Sequence, residues 1–430
     1  MKFNWKQAIF LGFGFMSIFL IWPIYNQFIP IFLQAGNPNW ELESGALRPS
    51  ATDITGFGLS PAFAFFIMTW DNILNIFVQF WAGARSDRSW SRWGRRKPWL
   101  MVGVPIAALG FVLIPFARVL AGMLLFIFIT NIGMALFRAP TAALLGDLFP
   151  PEHRSKARGI SGVMATMAGI IALVAGSALF ERVGRGAPFI FSAIFMVATT
   201  ILLLIFVKEP RPTEPEDAKS DNIIREALQS VWKAENHSAL WLLLSVALTF
   251  MLWESLQVGI SSFAVFVLGL PVEQAVRFGI PFAIALLLSA YPSGLAATRF
   301  GRQRTMGVGL GGLFVLTILA YLVVRDPLSF GIILVLAGVF LSLVIINDLP
   351  FLYDIGDESK TGAYTGIYFV ATQTGAVIGP ILAGFMIEIS GNHRIIFAFA
   401  SLCALLAFLM LRRIRISNRK TLLTYRATSH

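Results

Sequence analysis

Twelve long apolar runs alternate with short polar turns along the chain, at about residues 7–33, 61–84, 98–117, 121–145, 157–180, 187–207, 238–268, 273–297, 305–324, 327–353, 361–388 and 391–411. Each holds about 20 residues or more, and at roughly 1.5 Å per residue that is the length of a helix crossing the hydrocarbon core. The pattern predicts an all-α integral membrane protein with twelve transmembrane helices. The fourth, seventh, tenth and eleventh runs also carry polar residues that a lipid-facing helix would avoid, so part of their surface must face protein or a water-filled cavity.

Composition agrees: 57% of the 430 residues are hydrophobic and 13% charged, against about 25% charged in soluble domains. The formal net charge of +11 would suggest nucleic acid in a soluble protein. In a polytopic one it follows from basic residues collecting in cytoplasmic loops. With both termini inside, 26 Lys and Arg fall in inside segments and 7 in outside loops, and Arg138 stays in the membrane, which accounts for all 34. Both termini are therefore expected in the cytoplasm, in the cell (inner or plasma) membrane. The first run has no small-residue cleavage site behind it and is expected to stay as a signal anchor. The single cysteine, Cys403, cannot form an intrachain disulfide and reads as a buried small hydrophobe. His153, His237, His393 and His430 fall in loops or the tail. There is no metal-ligand cluster, nucleophile motif or phosphate-binding loop, so no cofactor and no enzyme is expected, and any work must draw on a gradient.

The charged stretch 208–236, with Pro210, Pro212 and Pro215 and an amphipathic segment near Ile223 to Trp232, divides the chain. The expected units are a six-helix bundle 1–207, a cytoplasmic linker 208–236, a second bundle 237–412 and a tail 413–430. Gly94-Arg95-Arg96-Lys97 recurs as Gly301-Arg302-Gln303-Arg304, and Asp147 and Gly159 recur as Asp354 and Gly366, all at a shift of 207 residues. Three matches at one offset argue for duplication. Trp22 and Asn26 have a weaker echo in Trp253 and Gln257. The outside loop Gln34 to Ser60, with Glu41, Glu43 and Asp53, reads as a flexible connector rather than a lid.

Asp71 lies at membrane depth, where a carboxylate costs at least roughly 2.5 kcal/mol unless it is paired or faces water. At helical spacing Asp71, Asn75 and Gln79 form one stripe, and Asn131 and Arg138 share a face of the fourth helix. Asp71 and Arg138 are expected to face each other across the first half of a central cavity. A carboxylate whose partner comes and goes with a conformational cycle can serve as a proton switch. A permanent ion pair orienting two helices is the alternative, and Pro140 could mark a distortion whose freed carbonyl Arg138 satisfies. In the second half the buried candidates are Glu254 and Gln257, Asn347 and Asp348, and Tyr364, Tyr368 and Gln373, with Glu254 the rival to Asp71 as the titrating group. Sugars are held by amide and carboxylate hydrogen bonds and aromatic faces, chemistry that Trp22, Asn26, Asn75, Trp253, Gln257, Asn347 and Gln373 could supply.

Gly83-Ala-Arg-Ser-Asp87, followed by Arg92 and Gly94-Arg95-Arg96, resembles the loop between helices two and three of the major facilitator superfamily, and its second copy stands in the corresponding place. Trp70-Asp71-Asn72, the segment Ser91 to Trp99 and the segment Arg138 to Asp147 resemble the glycoside-pentoside-hexuronide cation symporters, and more closely the sucrose/proton symporter group. The resemblance implies a 6+6 fold with pseudo-twofold halves, a sugar or glycoside substrate, H⁺ or Na⁺ as coupling ion, a monomer, and a place for Asp71 in the coupling or sugar site. Two departures weigh against Na⁺: Asn75 stands where the melibiose-type members carry a second aspartate, and helix eleven has no basic residue between Thr361 and Ile387. Asp87, Arg95, Arg96 and Asp147, with Arg302 and Asp354 in the repeat, are expected to act as a cytoplasmic gate, Asp87 meeting a helix N-terminus when that side is closed. Glycines 159, 162, 169 and 176 on helix five and 375, 379 and 384 on helix eleven suit closely packed, moving helices. Efflux of an amphipathic drug, lipid or pigment is the rival function, with a non-transporting receptor behind it.

Overall fold

The computed structural model describes residues 3–36, 56–210, 237–355 and 361–414. Among them twelve helices are long and apolar enough to cross a membrane: α1 Trp5–Gln34, α2 Pro61–Arg88, α3 Lys97–Phe116, α4 Leu120–Leu148, α5 Glu152–Val183, α6 Ala187–Phe206, α7 Ser238–Phe266, α8 Val272–Phe300, α9 Arg302–Val323, α10 Pro327–Ile355, α11 Tyr364–Ser390 and α12 Ile395–Arg412. The amphipathic stretch of the linker, the acidic residues of the long loop and the end of the tail lie outside the described residues. Cys403 is buried, as its apolar surroundings require. His153 is the exception among the histidines expected in loops, because the α5 helix begins before it.

The repeat seen in the sequence is also a repeat of construction. Gly94 takes φ +108° and Gly301 φ +87°, values that suit a residue without Cβ. Each glycine ends a turn that throws the next arginine back onto the preceding end of the bundle: Arg95 pairs with Asp147 and Arg302 with Asp354. The first-half copy is the more elaborate. Arg96 is buried and reaches Asp147 at 3.0 Å, Asp87, and the Ser86 hydroxyl. The Glu209 carboxylate then accepts the backbone N–H groups of Arg95, Arg96 and Lys97 at 2.7, 3.0 and 2.9 Å.

Helices α1–α6 pack among themselves chiefly through α3 on α4 and α1 on α5, and α7–α12 through α7 on α11 and α12 and α8 on α10. The two groups meet where α2 touches α11, α1 touches α7, and α5 touches α8. These junctions are strongest at the face remote from the termini. There Arg277 of α8 pairs with Glu181 of α5, and the Gln34 amide at the end of α1 donates to Ser262 of α7 at 3.0 Å and meets the buried His393 ring at 3.1 Å. Gly384 of α11 lies against the start of α2, where an added Cβ would stand 2.7 Å from the Pro61 carbonyl oxygen.

Four of the described spanning helices are interrupted inside the bundle, α8 among them at Phe278. α1 is interrupted at Leu20 and Ile21 before Trp22 starts its second segment. α2 is interrupted at Thr69 and passes into a π-helical turn over Asn75–Gln79. α10 turns at Ile346 and Asn347 before resuming at Asp348. The π turn corrects one expectation. It inserts an extra residue into the helical repeat after Asn75, so Gln79 leaves the face that Asp71 begins, whereas Asn75 follows Asp71 by an ordinary α-turn with its N–H on the Asp71 carbonyl. α4, in contrast, runs unbroken through Pro140. The glycines divide by position: Gly375 and Gly379 lie against the backbone of α7, while Gly159 and Gly162 face open space.

Candidate functional site

A cavity of about 360 Å³ lies between the two groups of helices, within the roughly 300–1,000 Å³ typical of small-molecule sites. α1 contributes Trp22, Asn26 and Gln27, α2 Asp71 and Asn72, and α4 Arg138. From the other group come Trp253, Glu254 and Gln257 of α7, with Phe278 and Phe282 of α8. The α1 and α7 residues face each other as copies: Trp22 and Trp253, and Asn26 and Gln257, stand at one offset, and at that same offset Pro23 is answered by Glu254.

Three lining residues are ionisable: Asp71, Arg138 and Glu254. Arg138 lies within electrostatic reach of both carboxylates, one from each group of helices, yet it closes no salt bridge with either. Its guanidinium instead lies over the Trp22 ring, 5.2 Å from the centroid, a cation–π contact. That ring meets Tyr25 edge-on at 5.4 Å, and the Tyr25 hydroxyl accepts a hydrogen bond from Asn131 at 3.1 Å. Asn131 thus supports the site from behind. On the opposite wall Trp253 stacks on Phe282, with centroids 5.1 Å apart and planes 26° apart.

Several polar atoms at this site are buried without a partner: Trp22 Nε1, Gln27 Oε1 and Asp71 Oδ1. Buried polar groups are normally hydrogen-bonded, so such orphans call for an explanation, and a ligand is one. The arrangement can hold a small neutral molecule between an aromatic wall and a polar one, beside an arginine shared by two carboxylates. Among the described residues no group of three or more His, Cys, Asp or Glu side chains could hold a metal ion.

Of the sequence-selected binding residues, Trp22, Asn26, Asp71, Arg138, Trp253 and Gln257 come together here, with Glu254. Asn75 does not line the cavity; it is buried beneath the α2 surface, 3% exposed. Asn347, Asp348 and Tyr368 form a separate buried cluster at the α10 break. Tyr368 donates to Asp348 at 3.1 Å, the Leu349 N–H donates to it at 2.6 Å, and Asn347 donates to the Leu343 carbonyl at 3.0 Å. Tyr364 is buried, and Gln373 on α11 is half-buried and away from the cavity. The residues selected as a gate, Asp87, Arg95, Arg96 and Asp147, and separately Arg302 and Asp354, pair within their own group of helices.

Sequence reasoning passed over Gln27, Asn72, Phe278 and Phe282. A signal existed for two of the four positions. Phe278 and Gly279 stand 207 residues after Asp71 and Asn72, so the repeat itself carries the α2 wall onto the α8 wall.

The sequence model of the Major Facilitator Superfamily matches residues 7–291 and again 278–427. The chain is 25% identical over 221 residues to the sucrose transport protein SUC3 of Arabidopsis thaliana, a stretch covering 42% of this chain and 37% of that protein. It is 29% identical over 170 residues to the proton-associated sugar transporter A of Homo sapiens, covering 34% of this chain and 23% of that one. The matches therefore span less than half the length of these relatives. In fold it is similar to a bacterial homologue of the human lysosomal transporter Spinster in an inward-facing, unoccupied conformation, with a TM-score of 0.65 at 18% identity over 96% of this chain and 97% of the other.

Proposed function

This chain belongs to the Major Facilitator Superfamily and is a transporter rather than an enzyme, and we propose that it carries a glucoside or disaccharide by proton-coupled symport. The observation that supports this most directly is the Asp71 carboxylate, one oxygen of which is buried without a partner in the cavity wall beside Arg138 and Trp22. The names of the two sugar-transporter relatives point to the same substrate class.

Arg138 is the pivot of the proposed cycle. With Asp71 ionised, the guanidinium is drawn to α2; with a proton on Asp71, it is left to Glu254 on α7. A proton thereby redistributes attraction between the two halves, the kind of bias an alternating-access equilibrium responds to. The neutral sugar lies between the Trp253–Phe282 stack and the polar face of Trp22, Asn26, Asp71 and Gln257. On this reading both termini are cytoplasmic and the protein works as a monomer in the cell membrane. The turn residues Asp87, Arg95, Arg96, Asp147, Arg302 and Asp354 shape the surfaces that must meet when the cytoplasmic side closes.

The test is uptake of a panel of radiolabelled mono- and disaccharides by proteoliposomes with and without an inward proton gradient. Gradient-stimulated, saturable uptake of a panel member is expected. A second reading, export of an amphipathic molecule, is favoured by the apolar lining of Phe19, Ile260, Phe278, Phe282, Leu286 and Leu334, and it takes precedence if no sugar moves.

A further inference from the structure

We infer that Gln27, on the wall shared by α1 and α7, is a specificity-determining residue that reads a substrate hydroxyl and ties its occupancy to the closed state of the remote face. The inference rests on the sugar reading of the cavity and adds to it a residue and a recognition pattern.

Gln27 lines the cavity and is 5% exposed. Its amide does two things at once. Nε2 donates to the backbone carbonyl of Gln257 across the junction of the two halves, at 3.4 Å, and Oε1 is buried with no partner. The Nε2 contact belongs to the α1–α7 junction that continues to Gln34 and Ser262 at the remote face. Moving α1 away from α7 to open that face must break it. A ligand held by Oε1 orients the amide so that Nε2 keeps its partner, which links filling of the site to the closure beside it.

The chemistry of the three orphan atoms selects the ligand. Trp22 Nε1 can only donate, whereas Gln27 Oε1 and ionised Asp71 can only accept. An ammonium group would satisfy the two acceptors and leave the indole N–H unpaired, and a carboxylate would meet Asp71 with like charge. Neighbouring hydroxyls satisfy all three, because each hydroxyl both donates and accepts. The pattern therefore fits a vicinal diol of a neutral polyol, with the Trp253–Phe282 stack available to its apolar face.

The experiment is equilibrium exchange of radiolabelled sucrose in proteoliposomes, without a gradient, competed by the set of monodeoxy sucrose analogues. Wild type is compared with Gln27→Leu, which keeps the volume and removes the amide, and with Gln27→Asn, which keeps the amide but withdraws it; Asn carries the test if Leu does not fold. In wild type one deoxy analogue is expected to bind about tenfold more weakly than sucrose. In either variant the KM for sucrose rises by about tenfold, the maximal rate stays within about twofold, and that analogue is no longer discriminated. The inference is overturned if KM is unchanged, or if sucrose and every analogue weaken equally, as a packing defect would make them. Wild-type protein that exchanges neither sucrose nor any glucoside overturns the sugar reading itself, a result distinct from normal exchange that is blind to Gln27.

Discussion

The clasp between Glu209 and the α2–α3 turn can be tested as a coupled pair with Gly94. Three backbone N–H groups converge on the Glu209 carboxylate, at 2.7 to 3.0 Å, at the start of α3 where the helix dipole also favours an anion. Hydrogen bonds to charged groups contribute about 1.5–3 kcal/mol each when fully protected. Glu209 is only half-buried, and water can rescue much of what its removal exposes, so Glu209→Ala should cost about 2–3 kcal/mol in total. A Cβ on Gly94 would stand 2.6 Å from the Glu209 carboxyl carbon, at a φ of +108°. Gly94→Ala therefore incurs backbone strain of about 1–3 kcal/mol and also expels Glu209, for a total of about 3–6 kcal/mol. In a Glu209→Ala background only the strain remains. Unfolding entropy of about 2.1 cal/mol/K per residue makes 1 kcal/mol worth about 1 °C in a chain of this size. Thermal melting in detergent should show drops of about 2–3 °C for Glu209→Ala and about 3–6 °C for Gly94→Ala, with the double variant no worse than Gly94→Ala. Strictly additive drops would refute the reasoning, because they would mean that the glycine is not there to make room for the carboxylate.

Two further outcomes are expected. Gly379→Ala places a Cβ 2.5 Å from the Met251 carbonyl oxygen, whereas Gly159→Ala and Gly162→Ala meet nothing within 4 Å; overpacking costs about 1–3 kcal/mol, so fluorescence-detected size exclusion should show loss of monodisperse protein for the first variant alone. Arg277→Gln removes a cross-half ion pair whose members are 45% and 51% exposed. A screened pair of this kind contributes about 0.2–1 kcal/mol, so in a Cys403→Ser background thiol labelling of Ser262→Cys, buried at the α1–α7 junction, should speed up by no more than about fivefold, with the difference from the parent shrinking in high salt.

The repeat was the most informative feature of the sequence. Gly94 and Gly301, Arg95 and Arg302, and Asp147 and Asp354 stand at one offset, and the structure builds the same turn and the same ion pair twice. Cavity residues on α1 and α7 were legible for the same reason, since Trp22 and Asn26 have copies in Trp253 and Gln257. The failures lie where helical periodicity stops. Asn75 follows Asp71 by one ordinary turn but is packed against its neighbours instead of facing the cavity, and the π turn that begins there carries Gln79 off that face. Asn347 and Asp348 sit where α10 breaks, so their polarity serves a local network with Tyr368 rather than the cavity. Gln27 was missed because it has no polar copy: at the offset that carries Trp22 and Asn26 onto Trp253 and Gln257, it meets Val258.

The central claim is that the Asp71 carboxylate couples proton movement to transport through Arg138. The most direct measurement compares wild type with Asp71→Asn in proteoliposomes, recording sugar uptake under an inward proton gradient and sugar exchange without one. Gradient-driven uptake lost from the variant while exchange continues is the predicted result. Gradient-driven uptake that persists in Asp71→Asn would contradict the claim and leave Asp71 a structural neighbour of Arg138.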